Sequence, residues 1–387
     1  MISSSILIAS RSVVVVSSLL DDKLKADFLD DINEQYAELR EQHYESLEDR
    51  KYVTLQYARQ NKFVIDWMNE PSPKKPSFLG TRVYRDYDLS TLLPYIDWNP
   101  FFSVWQLRGK YPNRAYPKIF NDDTVGQQAK STHQDAINML DDIIKNKLLT
   151  ATAIVGFYPC ASTDTDDIVI YKDDTRTDVL TTLHTLRQQA ETLDRSMKYY
   201  AMSDFIAPQS SGVHDYIGIF AVSSGFGVDE LVKEYMKTHD DYKSIMIKAV
   251  ADRLAEALAE KLHMDIRREL WGYEDSSSSN TSPDELLQLK YDGIRPAPGY
   301  PSQPDHTEKQ IIWSLMNIQQ ETGIELTESL AMVPTAAVSA LVFANKHSSY
   351  FAVGKIGKDQ VEDYANRKDM PLEKVEKWLS HSLNYDL

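Results

Sequence analysis

Arg295-Pro296-Ala297-Pro298-Gly299-Tyr300 is the segment whose residue types and spacing are best suited to chemistry. Two prolines fix φ, a glycine permits a sharp turn, and an arginine and a tyrosine stand at the two ends. A backbone stiffened in this way pre-orients the fork of Arg295, which matches a carboxylate through two parallel hydrogen bonds. The same pattern also makes a plain structural turn, so alone it marks a candidate anion site. Asp252 and Glu256 are four apart in a helical pattern and His263 comes seven residues later, which puts all three near one face. Such a trio suits acid–base work or a metal; it equally makes a solvated, partner-facing surface, and we adopt that reading. Asp305-His306-Thr307-Glu308 invites a general-base role for His306 and Glu308. The competing reading is a helix start, with Asp305 capping and Glu308 at the third helical position. Nucleotide fingerprints are missing: Gly225-Phe226-Gly227 lacks a third glycine, Gly354-Lys355 and Gly357-Lys358 lack the P-loop spacing, and neither G-x-S-x-G nor H-E-x-x-H occurs.

The elements that must position these residues mix without βαβ alternation. Thr152–Pro159, Asp167–Tyr171, Tyr216–Val222, Val338–Phe343 and Tyr350–Ile356 are short, β-branched or aromatic, and bounded by turn residues, as strands are. A long helical pattern covers Val228–Leu270, with Tyr242, Met246, Leu254, Leu258 and Leu262 as its buried stripe. Pro371–Leu379 reads as a terminal helix and Ser276–Asn280 as a polar loop. Segregated strands and helices predict an α+β fold. Upstream, Leu20, Leu24, Phe28, Ile32, Tyr36 and Leu39 recur at helical spacing, and Pro71, Pro73 and Pro76 mark a loop or boundary after them. The expected organisation is a strand or helix remnant at 1–20, a helical linker at 21–60 and one domain over 61–387.

Composition narrows the partners. With 42 Lys+Arg against 58 Asp+Glu, the net charge is −16, which argues against nucleic acid because phosphate binding needs a basic surface. The longest apolar run near the start is broken by Ser10, Arg11 and Ser12, too short for a membrane span. Cys160 is the lone cysteine; it permits no internal disulfide and no thiol cluster for zinc, and suits a reducing, cytoplasmic setting. No metal site is expected.

Arg295 to Lys309, read as Arg-Pro-Ala-Pro-Gly-Tyr-Pro-Ser-Gln-Pro-Asp-His-Thr-Glu-Lys, resembles the signature of the activation domain of cobalamin-dependent methionine synthase, with the animal-type members most similar. Tyr95-Ile-Asp-Trp-Asn-Pro-Phe-Phe102, Gly109-Lys-Tyr-Pro112, Leu186-Arg-Gln-Gln189, Ser203-Asp-Phe-Ile-Ala-Pro208, Ala251-Asp-Arg-Leu-Ala-Glu256 and Gln360-Val-Glu-Asp-Tyr364 appear in family order. The resemblance implies a C-shaped α+β domain around a twisted antiparallel sheet with flanking helices. It also implies a task in methionine biosynthesis from homocysteine: binding S-adenosylmethionine and presenting its methyl group to cob(II)alamin while a flavoprotein reductase supplies one electron.

Carried onto this chain, the resemblance puts Arg295 on the carboxylate of S-adenosylmethionine and Asp97 on its ammonium group. It puts the backbone of Ala297 against the ligand, Tyr300 where ligand and cobalt meet, and Tyr350 along the adenosyl pocket. Pro334, Ala336, Ala337, Val338 and Ser339 resemble the small-residue segment facing the corrin ring, and Asp252 and Glu256 the acidic pair that meets the cobalamin-binding domain. Two positions depart from the family's pattern: Ala340 replaces a glycine and Phe351 a second tyrosine. Ala9–Asp21 resembles the end of a cobalamin-binding module, yet no histidine here has Asp two positions before it, as the cobalt ligand's motif requires. Cobalamin is therefore expected from another domain, and the chain alone is not expected to make methionine. A non-catalytic S-adenosylmethionine-binding module that docks to a cobalamin protein or reductase is the alternative.

Overall fold

The computed structural model describes residues 51–191, 196–274 and 291–387. The expected remnant at 1–20, most of the linker and the loop Ser276–Asn280 lie outside these residues. Among the described residues, a six-stranded antiparallel sheet is built from β1 (Gly80–Tyr84), β2 (Thr150–Ser162), β3 (Asp167–Tyr171), β4 (Val179–His184), β5 (Asp215–Phe226) and β8 (Ala337–Val342). Its order is β4-β3-β2-β5-β8. β5 runs along one edge of β2, whose other edge is shared by β1 at Ala153–Phe157 and β3 at Cys160–Ser162. A two-residue pair, β6 (Glu325–Leu326) with β7 (Met332–Val333), stands apart.

β2 and β5 are buried on both faces, which is why they read as near-continuous apolar runs. Ile154, Ile217, Ile219 and Ala221 join Phe205, Trp313 and Phe343 in the main core. The helices are α1 (Leu55–Gln60), α2 (Trp98–Val104), α3 (Gly126–Asn146), α4 (Val228–Lys237), α5 (Asp241–Asp265), α6 (Glu308–Met316), α7 (Ile318–Thr322), α8 (Lys358–Arg367) and α9 (Leu372–Trp378). α5 lays Met246, Leu254, Leu258 and Leu262 against the sheet. A satellite core of Leu186, Val353, Ile356, Val361, Tyr364 and Leu379 holds α8 and α9.

Three expectations change. The single helix over Val228–Leu270 breaks at Thr238–Asp240, where His239 takes a left-handed φ of 55° and Asp240 caps α5 through the Lys243 N–H at 2.9 Å. Tyr242, expected in the buried stripe, is exposed just after that break and donates to Asp135 at 2.7 Å. Tyr350–Ile356 forms no ladder strand and pairs with a loop instead: the Val353 N–H donates to Pro301 O at 2.8 Å. The chain clusters into two compact units, one of Val53–Phe101 with Ser131–Leu387 and one containing Phe102–Lys130. Residues 53–60 belong to the larger unit: the Val53 N–H donates to Gln189 O at 2.9 Å, and Arg59 pairs with Asp166 and Asp363 at 2.8 Å each. In the smaller unit Asp122 accepts the Thr124 hydroxyl at 2.6 Å and the N–H groups of Lys110, Val125 and Thr124 at 2.7–3.0 Å, which together hold its carboxyl far below the usual range. A Cβ at Gly109 would meet Asn113 O at 2.1 Å, so that turn admits only glycine.

Candidate functional site

The segment carrying Arg295 is tied to the far edge of β8. Ile294 and Phe343 exchange both N–H···O bonds at 3.0 Å, and the Leu341 N–H donates to Pro296 O at 2.9 Å. Gly293 allows this approach, since a Cβ there would lie 2.4 Å from Phe343 O, and its φ of +81° is left-handed. Beyond Pro296 the chain turns sharply: the Tyr300 N–H donates to Ala297 O at 3.1 Å and the Gly299 N–H to Gln303 O at 2.7 Å. Gly299 has φ +97°, and a Cβ would meet the His306 ring at 2.2 Å. His306 therefore packs beneath the loop as its floor.

The strap 350–353 closes the other side. Besides the bond from Val353 to Pro301, the Ser302 hydroxyl bonds both the N–H and the carbonyl of Phe351. These bonds pull the predicted strand Tyr350–Ile356 off the sheet. Tyr350 Oη accepts the Arg295 backbone N–H at 3.0 Å. Loop, strap and β8 together enclose a cleft of about 690 Å³, walled by Arg295, Ala297, Tyr300, Ser302, Lys309, Met332, Ala337, Val338, Ser339, Ala340, Tyr350, Phe351 and, from α5, Glu256.

Arg295 is mostly buried and pairs with Glu260, Nη2 to Oε2 at 2.7 Å. Burial alone would lower its pKa, but the Glu260 carboxylate more than compensates and raises it above the ordinary value. Burial pushes the Tyr350 phenol up and the Lys309 ammonium down. Tyr300 is 63% exposed at the rim. The cleft thus has a buried cation, Arg295, small residues in its wall and an exposed phenol, Tyr300, and suits a partly apolar ligand with an anionic group.

The fold gathers some of the predicted residues and separates others. Arg295, Ala297, Tyr300, Tyr350, Ala337, Val338, Ser339 and Glu256 come together in the cleft. Pro334 and Ala336 do not line it: Ala336 is buried, its carbonyl accepting from Ser223 Oγ and Ser224 N, and both press on Gly225. Ser339 is also buried, its hydroxyl without a partner. Pro334, Ala337 and Val338 are the half-exposed members of the small-residue segment. Asp97 lies at the start of α2, outside the cleft wall, with Oδ1 accepting the Asn99 N–H at 2.9 Å. Asp252 is exposed, and partial desolvation, reinforced by Glu256, raises its carboxyl pKa. His263, placed by spacing on the face of Asp252 and Glu256, is fully buried instead, its Nδ1 2.9 Å from Arg267 Nη1. The stripe that spacing defines is wide enough to run from solvent into the core. Thr307, rather than Asp305, is the residue before α6, and Asp305 accepts its N–H at 2.8 Å. Asp305 and Glu308 are buried on Lys368 Nζ at 2.8 and 2.5 Å, so the Glu308–His306 general-base pair does not form. Glu260 is the site residue that sequence reasoning missed; its signal was the four-residue spacing beyond Glu256 on the same helix.

An antiparallel sheet that anchors a proline-stiffened arginine loop over such a cleft defines an α+β ligand-binding domain. A family model for the vitamin B12 dependent methionine synthase, activation domain, matches residues 88–369. The chain belongs to that family. It is also similar to the crystal structure of the MetH reactivation domain bound to AdoHcy, at 46% identity and a TM-score of 0.82, covering 87% of this chain and 99% of that one. Ala340 and Phe351, the two departures from the family's pattern, both sit in the cleft wall; Phe351 packs on Tyr200 with ring centroids 5.7 Å apart.

Proposed function

We propose that this chain binds S-adenosylmethionine in the cleft at Arg295–Tyr300 and presents its methyl group to the cobalt of a cobalamin carried by another domain. The observation that carries the reading is the buried Arg295, locked in place at one end of the cleft. The AdoHcy-bound relative supports it, since AdoHcy is S-adenosylmethionine after its methyl group has left. In this reading Arg295 takes the carboxylate, Asp97 the ammonium, the Ala297 backbone the ligand at the turn, and Tyr350 the adenosyl group. Tyr300, exposed at the mouth, flanks the sulfonium on the side from which cobalt arrives.

Pro334, Ala337 and Val338 offer a surface without bulky side chains, which fits a flat corrin ring; Ala336 and Ser339 support it from behind. Asp252 and Glu256 face the cobalamin-binding domain. When bound, cobalamin supplies the metal that accepts the methyl group. The chain's own residues bind, orient and exclude water. The electron comes from a flavoprotein reductase, and the setting is the cytoplasm; among the described residues no helix is long and apolar enough to cross a membrane. The activity served is that of 5-methyltetrahydrofolate–homocysteine methyltransferase, within which this chain supplies reactivation.

Calorimetric titration with S-adenosylmethionine tests the binding step: saturable one-to-one binding is expected, and its absence overturns the assignment. Mixing the chain with a separate cobalamin domain, a reductant and S-adenosylmethionine tests the transfer. Methylcobalamin should form; if binding holds and none forms, the chain is a binding module only.

A further inference from the structure

Glu260 lies on α5 one turn beyond Glu256, behind the cleft wall and 4% exposed. A carboxylate so buried needs a cation. Its ion pair is with Arg295 through a single contact of 2.7 Å. Glu260 Oε1 and Arg295 Nε are buried without partners, so the pair is not the two-bond fork its groups permit. The cation Arg267 is directed elsewhere: Nε faces Glu274 at 3.2 Å, Nη1 faces His263 at 2.9 Å, its guanidinium lies 3.9 Å over the Tyr291 ring, and its Nη2 is buried without a partner.

We propose that Glu260 is a positioning residue that holds the Arg295 guanidinium from behind and thereby makes the cleft select ligands bearing a carboxylate. The proposal rests on the reading that Arg295 receives that carboxylate. Two anchors fix the arginine, Tyr350 Oη on its backbone N–H and Glu260 on its head. One contact from a rigid helix orients the fork through Nη2 and leaves Nη1 for the ligand. Glu256, which lines the same cleft, is a competing carboxylate. Holding Arg295 on Glu260 keeps it from closing onto Glu256 and filling the slot.

The test compares two ligands, AdoHcy and 5′-methylthioadenosine, which shares the thioadenosyl part but lacks the amino-acid end. Glu260→Gln should weaken AdoHcy about tenfold or more, the scale for losing a partner that orients a binding group, and leave methylthioadenosine unchanged. Glu260→Asp, which keeps the charge but retracts it, should show the same selective loss and guards against misfolding of the first variant. On an Arg295→Ala background, Glu260→Gln should add nothing. Equal loss for both ligands, or no loss for AdoHcy, overturns the positioning role while leaving the site assignment standing. Failure of the wild-type chain to bind AdoHcy overturns the site assignment, and the proposal with it.

Discussion

Arg295 is half of a buried ion pair, so truncating it removes the ligand's partner and strands Glu260 as well. Arg295→Ala should weaken S-adenosylmethionine by about 2–4 kcal/mol, and an unchanged Kd in calorimetry would refute the loop assignment. Gly299 sets the loop's shape at φ +97° above the His306 ring. Gly299→Ala should lower stability by about 2 kcal/mol or more through strain and collision, with ligand affinity falling alongside; a melting curve like the wild type's would show that the turn can relax. Most of this site was legible in the sequence, because Arg295, Gly299 and Tyr300 are adjacent in one stiff segment. Glu260 was not, because its partner lies 35 residues away and only folding brings α5 behind the loop.

At the scale of elements, one buried polar group ties two helices together and another sits inside a single helical stretch. Lys368 on the end of α8 pairs with both Asp305 and Glu308, ahead of and within α6; Tyr364 Oη donates to Asp305 at 2.7 Å, and burial raises the Glu308 carboxyl pKa. Lys368→Met leaves two buried carboxylates uncompensated and should cost about 3–5 kcal/mol in urea denaturation; a loss of stability below about 1 kcal/mol would mean that water reaches the pair. In α5, His263 faces Arg267, whose guanidinium only donates, so Nδ1 is the acceptor and the ring is neutral. Burial, then the charges of Arg267 and Arg295, hold its pKa well below the ordinary value. The unfolded chain takes up this proton near pH 6.5 and the folded chain only well below it. Stability from the neutral imidazole is therefore lost as pH falls below about 6.5. His263→Gln keeps an acceptor without the titration, and the drop in Tm between neutral and mildly acidic pH should shrink; an identical pH slope would dismiss the histidine as its source. The strands β2, β3, β5 and β8 were legible as apolar runs. β1 and β4 were not, since their exposed and half-buried residues break the run.

For the whole molecule, the proposed function makes this a domain whose chemistry is completed by other domains. The chain alone should form no methionine from homocysteine, and a cobalamin domain supplied in trans should restore methyl transfer from S-adenosylmethionine. Methionine formed by the chain alone would contradict the proposed division of labour. The motifs around Gly109 run on in family order through the boundary between the two compact units.

By itself, the sequence determined the fold class, the family and the arginine loop, since each is written in contiguous residues or in local periodicity. Tertiary structure alone decided which face of α5 enters the core, which of the small residues at 334–339 reach the cleft, and that Glu260 stands behind Arg295. Those outcomes depend on pairings between distant segments, and a helical stripe or a run of small residues fits more than one of them. The ion pair of Arg295 with Glu260, the Tyr350 bond and the tie to β8 choose among them, because each joins groups that only the folded chain brings together.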